Sequence, residues 1–196
     1  IDSESLLTTK VRMVESLRDM EVAATLLDTE GPEFSLTQKY QQLNCNLAPL
    51  APESDSFALL RRYLTNGQGP THKDWDLELA AAFEVERHNE ASRFQPFKQL
   101  PNRMLLWHGS RLSNFVGIFS QGVRIAPKEA PSTGYMFGKG VYFADVASKS
   151  AQYCGATRAR PEGLLLVCEV ALGRTHDVRR AEYMEGPPRA RHSTRA

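Results

Sequence analysis

Apolar positions near the start of the chain recur with the spacing of a helix. Met13, Leu17, Met20, Ala24 and Leu27 step by four, three, four and three, which lines them along one face. Glu15, Asp19 and Glu21 fall largely off that face, and Gly31-Pro32 stops the pattern. A lone amphipathic helix has nothing to bury its stripe against, so this one needs the rest of the chain, or residues outside it, as a packing partner. Ser35 followed by Gln38 has capping-box spacing and predicts a further helix start. Leu43, Cys45 and Leu47 alternate, which predicts a short strand closed by Pro49 and Pro52. Asp55 is placed to cap a helix through Phe57, Leu60 and Leu64, with Gly67 as its stop.

From Trp75 to Val85 every second residue is apolar, and Asp76, Glu78 and Glu84 fall between them. A helix would put an acidic residue on the apolar face, so the pattern predicts one long strand in spite of its Ala and Glu content. Met104 to Trp107 reads as a buried strand running into His108-Gly109. Ser113–Gln121 reads as a helix stopped by Gly122, and Val123–Ile125 as a short extended piece. Residues 126–140, with two prolines and three glycines, read as a loop. Val141–Ala144 predicts a strand, Asp145 to Cys154 a capped helix ended by Gly155, and Leu164–Leu172 a strand. After Gly173 the chain turns Arg- and Pro-rich and reads as poorly anchored. Strands and helices intermix without a βαβ repeat, so the class is α+β.

Composition narrows the function. The 196 residues hold no apolar run near the roughly 18 that a membrane-spanning helix requires, and the first ten lack a secretory layout. Cys45, Cys154 and Cys168 are odd in number and form no Cys-x-x-Cys pair, which points away from a disulfide framework and toward a reducing compartment. The net charge of +1 hides an asymmetry: residues 1–100 carry 10 basic and 16 acidic groups, and the remainder 14 and 7. A basic half suits a phosphate-bearing ligand, although a solvated surface accounts for it equally. A nucleic-acid-binding reading would rest on the arginine-rich tail alone.

Several local motifs are exclusions. Gly134-Tyr-Met-Phe-Gly138-Lys139-Gly140 has three residues between its first two glycines and a Gly after its Lys, so it is not a P-loop. No Gly-x-Gly-x-x-Gly is present, which disfavours a dinucleotide-binding Rossmann site, and the five histidines show no metal-ligand spacing. His108 at a strand end before a glycine could aim its ring into a cleft, or be a hydrogen-bonded structural histidine. Tyr142 and Tyr153 could stack on a flat heterocycle or be core aromatics. Lys149 beside Ser150 could contribute a charge or simply solvate a helix face.

The blocks Leu105-Leu-Trp-His-Gly-Ser-Arg111, Ser120-Gln-Gly-Val-Arg-Ile-Ala-Pro127, Gly134-Tyr-Met-Phe-Gly-Lys-Gly-Val-Tyr-Phe-Ala-Asp145 and Ser148-Lys-Ser-Ala-Gln-Tyr-Cys154 resemble the catalytic domain of DNA-dependent poly(ADP-ribose) polymerases. Phe97–Leu100 and Glu169–Gly173 fit the same family, and residues 10–24 resemble the last helix of its regulatory helical domain. The resemblance implies a helical regulatory piece over residues 1–30. Over residues 34–196 it implies an ADP-ribosyltransferase domain with a split β-sheet and flanking helices.

It also implies a function: NAD is consumed as a substrate, ADP-ribose passes to proteins (the enzyme itself included) or to growing polymer, and nicotinamide leaves. The NAD-binding residues it implies are His108, Gly109, Ser110, Asn114, Arg124, Tyr135, Tyr142, Phe143, Ala144, Ser150 and Tyr153. His108, Tyr142 and Lys149 form the catalytic group, and no metal is required. Gly109 and Ser150 would hold the nicotinamide carboxamide, Tyr153 and Tyr142 would flank the ring, and His108 would bond a ribose hydroxyl. Ser110, Asn114 and Arg124 would reach the adenosine side. The family's catalytic Glu, late in its domain, has no match before Ala196, since Glu182 and Glu185 follow Gly173 too soon. The chain is therefore expected to be truncated and to turn NAD over poorly, and a catalytically silent NAD-binding or interaction module is the alternative. A nuclear location, a link to DNA damage, and DNA contact through modules missing from this chain complete the expectation.

Overall fold

The capping box at Ser35 forms as its spacing predicts. Ser35 Oγ accepts the Gln38 N–H at 3.3 Å, and Gln38 Oε1 accepts the Ser35 N–H at 2.8 Å. It starts helix α1, Leu36–Gln42. The computed structural model describes residues 35–72, 74–125 and 135–196, together with the single positions 7, 10, 14 and 24. Of the predicted amphipathic helix, Val14 and Ala24 are helical and exposed. Met13, Leu17, Met20 and Leu27 lie outside the described residues.

Strand β1, Cys45–Pro49, follows α1, and helix α2, Asp55–Asn66, comes next. The α2 cap is Ser54, whose Oγ accepts the Phe57 N–H at 3.2 Å. Asp55 sits in the first turn instead, where its charge suits the helix dipole. Gly67 ends α2 as predicted. Strand β2, Phe83–Arg87, precedes the short helix α3, Glu90–Phe94, which the sequence reading did not anticipate. Strand β3, Arg103–Gly109, leads through a 3-10 turn at Leu112–Asn114 into helix α4, Phe115–Gln121. Helix α5 spans Ala147–Ala151, strand β4 Leu165–Ala171, and strands β5 and β6 cover Thr175–Asp177 and Ser193–Arg195.

The strands form three separate pairs. β1 and β2 are antiparallel, with Cys45 opposite Arg87 and Pro49 opposite Phe83. β3 and β4 are antiparallel along their whole length, with Trp107 opposite Val167 and Gly109 opposite Leu165. β5 and β6 are parallel. The class is α+β, as expected. The core sits where α2, β3 and α5 meet, on Leu64, Trp107 and the fully buried Ala147, with Tyr63, Leu77, Leu79, Leu165 and Val167 packed around them.

Four expectations need correction. The predicted strand Trp75–Val85 survives only at its end, as β2. The alternation does not hold throughout, since Ala82 is buried while Ala81 and Phe83 are exposed, but Leu77 and Leu79 do turn inward onto the core. Their backbone has no ladder partner because β1 stops at Pro49. One further bond, from Leu50 N–H to Ala82 O at 2.9 Å, is made before the chain turns into α2. Val141–Ala144 is not a strand, since only Ala144 bridges to Trp107. The Asp145–Cys154 helix shrinks to α5, and no side chain caps it. Instead, the Ser148 N–H finds Gly67 O at 3.0 Å.

The tail is anchored, contrary to its composition. Val178 N–H bonds Arg195 O at 2.8 Å, and Ser193 Oγ donates to Leu172 O at 2.8 Å. Asp177 takes Arg195 Nε at 3.1 Å and Nη2 at 2.7 Å. Arg195 supplies a cross-strand partner here, which a composition count cannot show.

Two outcomes follow. Leu64→Ala should cost about 2–5 kcal/mol, the usual range for truncating a packed core side chain, measured by urea unfolding. An unmoved midpoint would show that this cluster does not hold the domain. The Arg195 guanidinium and the Thr175 hydroxyl hold the Asp177 carboxyl below its ordinary value. A lowered folded pKa stabilises above the unfolded value of about 4, and that contribution is lost as pH falls through the lower folded value. The gap in thermal midpoint between the parent and Asp177→Asn should therefore be present near neutrality and close in acid. A gap independent of pH would rule the pairing out.

Candidate active site

The site grows from the C-terminal end of β3. Trp107 and Ala144 exchange backbone bonds, with N–O distances of 2.7 and 2.9 Å, which brings the chain after the glycine loop against the strand. Ser150, on α5 and buried, donates its hydroxyl to Trp107 O at 2.9 Å. The next contact is closer still. A Cβ on Gly109 would lie 1.9 Å from the Ser150 carbonyl oxygen and 3.4 Å from Cys154 Sγ. Only glycine lets β3 and α5 approach this far. The same Ser150 carbonyl accepts the Tyr153 N–H at 3.0 Å. Gly109, Ser150 and the Tyr153 backbone are therefore brought together, and Tyr153 is 65% exposed.

His108 faces the loop. Its Nδ1 is 2.9 Å from Tyr142 O. A carbonyl can only accept, so Nδ1 carries the hydrogen and Nε2 is left as the acceptor of the neutral ring. Phe143 packs tilted against the imidazole, 5.6 Å between centroids. With Tyr142 O taken by a side chain, residues 141–143 have no sheet ladder to join.

Tyr142 turns toward its own loop. Its hydroxyl donates to Gly138 O at 2.6 Å and accepts the Phe137 N–H at 3.1 Å, and its ring lies 6.1 Å from Tyr135. Tyr142 is thus paired with Tyr135, which the sequence reading did not pair with it. On the other side of β3, Asn114 Nδ2 donates to Ser110 Oγ at 2.8 Å. Lys149 is exposed on α5 between the buried Ser148 and Ser150. Arg124 is exposed, and no contact ties it to this cluster among the described residues.

The loop itself is held from downstream. Gly138 has φ of 88°, and a Cβ there would meet Met184 O at 1.9 Å, while Glu182 N–H bonds Met136 O at 3.1 Å. The sequence reading missed this clamp and the role of Cys154. Burial pushes the Cys154 thiol up, against a weaker lowering by the Ser110 backbone, and pushes Cys168 up to about 11. Both are neutral thiols at physiological pH, so neither is poised as a thiolate nucleophile. Among the described residues no three His, Cys, Asp or Glu groups gather as a metal site, and no helix is long and apolar enough to cross a membrane.

Chemically, the arrangement offers a histidine acceptor, a glycine strand end and an aromatic face within one short reach of backbone. A family model of the poly(ADP-ribose) polymerase catalytic domain matches residues 54–196. The chain is 50% identical to poly(ADP-ribose) polymerase 1 of Arabidopsis thaliana over 198 aligned residues, covering all of this chain and 20% of that protein. It is 49% identical to human poly(ADP-ribose) polymerase 2, covering all of this chain and 34% of that protein, and 51% identical to poly(ADP-ribose) polymerase 2 of Zea mays, covering 93% and 28%. The chain belongs to the poly(ADP-ribose) polymerase catalytic-domain family, whose members are NAD+ ADP-ribosyltransferases. It spans between 20% and 34% of the length of these relatives.

Gly109→Ala tests the site's tightest contact. Forcing a methyl against the Ser150 carbonyl should cost about 1–3 kcal/mol of stability, typical of overpacking, or push β3 and α5 apart. Chemical denaturation reads the first effect, and a change in Tyr153 ring chemical shifts reads the second. An alanine variant that shows neither would mean the two elements are not in contact.

Proposed function

We propose that this chain binds NAD as a substrate and takes part in transferring its ADP-ribose to acceptor side chains and growing polymer, with release of nicotinamide. The observation that carries the reading is the close approach of Gly109 to Ser150, with Tyr153 at the same point. It sets backbone polar groups beside the backbone of an exposed tyrosine, and a flat ring with a carboxamide requires both polar groups and an aromatic face. Ser150 has spent its hydrogen on Trp107 O, so its oxygen would accept from the carboxamide NH2 and would not donate to the carbonyl. His108 Nε2 is the lone pair available to a ribose hydroxyl. Ser110, Asn114 and Arg124 are assigned to the adenosine side, Tyr135, Phe143 and Ala144 to the wall behind His108, and Tyr142 and Lys149 to the reacting end.

In the transfer, the bond from ribose C1′ to the nicotinamide nitrogen breaks and nicotinamide leaves with the electron pair. The oxocarbenium-like carbon is then attacked by an acceptor oxygen, which loses its proton. We place this activity in the nucleus and in the response to DNA damage, with DNA engaged by modules outside these residues.

Calorimetry with a benzamide tests the binding half. The parent should bind, and Tyr153→Ala should weaken binding by about tenfold or less, since an aromatic contact contributes roughly 0.5–1.5 kcal/mol beyond its buried area. Unchanged affinity in the folded variant would take Tyr153 out of the site. Release of labelled nicotinamide from NAD tests the chemical half. Binding without release would make this chain a silent NAD-binding module.

A further inference from the structure

We infer that His72, remote in sequence from every residue assigned above, is a positioning residue for the nicotinamide end of the site. The inference rests on the reading of that end just given. Helix α5 carries Ser150 and Lys149 and leads into Tyr153, yet it is five residues long and has no capping side chain. A helix this short does not hold its own orientation in water, so its surroundings must set it. On one side Ser150 is bound to β3. On the other side the segment after α2 holds Ser148.

Ser148 is fully buried. Its N–H bonds Gly67 O at 3.0 Å, and its Oγ accepts the Gly69 N–H at 2.8 Å. His72 Nδ1 lies 2.7 Å from the same Oγ. A buried hydroxyl has one hydrogen to place, and among the described residues Nδ1 is its only acceptor. The hydroxyl therefore donates to Nδ1, which puts the ring hydrogen on Nε2. If Nδ1 donated instead, the buried hydroxyl hydrogen would have no acceptor among the described residues, at the cost of an unmet buried donor.

The imidazole is itself held in place. It stacks on Trp75 at 6.2 Å and 9°, and Gln68 Nε2 bonds the backbone carbonyls of both His72 and Trp75. A Cβ on Gly69 would come within 3.0 Å of His72 Nδ1, so the turn is closed tightly over the ring. The chain of contacts runs Trp75, His72, Ser148, α5, Ser150, Gly109. Loosening its outer end frees α5 to rotate, while the Asn114–Ser110 bond lies outside this chain of contacts.

The test compares two variants of similar bulk. In His72→Asn the side-chain oxygen can occupy the Nδ1 position and accept from Ser148. In His72→Gln the amide reaches the Nε2 position and leaves Ser148 without its acceptor. Calorimetry on the full chain is run with a benzamide and, separately, with ADP-ribose, which lacks nicotinamide. The expected result is parental affinity for both ligands in His72→Asn. In His72→Gln benzamide affinity should fall about tenfold, the scale of one net hydrogen bond, with ADP-ribose affinity unchanged. Equal benzamide affinity in the two variants, or a parallel loss of both ligands in either, would overturn the inference. A parent that binds ADP-ribose but no benzamide would instead remove the nicotinamide assignment on which the inference stands. All three changes remove the ring packed on Trp75, so Asn and Gln, which keep a polar amide of similar bulk, are compared with each other, and His72→Ala, which removes bulk and acceptor together, is avoided.

Discussion

The backbone carbonyl of Trp107 is the point on which the rest of the structure turns. It accepts from the Ala144 N–H and from the Ser150 hydroxyl together, so a strand, a loop end and a helix are tied to one oxygen. The side chain of the same residue fills the core, 4.9 Å from the Tyr63 ring and packed with Leu64 and Ala147. Tyr63 closes the circuit by donating its hydroxyl to Leu105 O at 2.7 Å. A shift of β3 at this residue would move core and site at once, because the two are opposite ends of a single amino acid.

The site that results is largely made of backbone. Gly109 contributes its lack of a side chain, Ser150 its carbonyl as much as its hydroxyl, and Tyr142 its carbonyl to His108. Such groups cannot titrate, and the two cysteines near the site or behind its sheet are held neutral by burial. What remains chemically adjustable is the His108 ring, with one nitrogen committed and one left over. The local geometry thus fixes a tautomer before any ligand arrives.

Features set by neighbouring residues in sequence could be read before folding. The Ser35–Gln38 box, the stops at Gly67 and Gly122, and the apolar runs of β3 and β4 all lie in this group. Features that need a distant partner could not. Leu77 and Leu79 alternate like a strand and bury like one, but a ladder needs a facing chain, and β1 ends too early to supply it. Arg195 looked like part of a solvated tail until Asp177 was seen opposite it. Of the site, the blocks around His108, Gly134–Gly140 and Ser150 identified the family. Which of them touch was not legible. The Gly109–Ser150 approach joins positions 41 residues apart, and the Tyr142–Tyr135 pairing depends on where a loop turns back.

The clamp of Gly138 by Met184 has a consequence for the order in which the protein is made. Synthesis delivers the chain from its N-terminal end, and early segments begin to fold before later ones exist. α2, β3 and α5 can come together as soon as α5 has emerged, and β4 joins shortly afterwards. The glycine loop that faces them is then still missing its backing, because residues 182–184 have yet to be added. It stays without its lock until residues 182–184 have been added. The half of the site built on Gly109 and Ser150 is therefore ready first, and the half that carries Tyr142 is completed later.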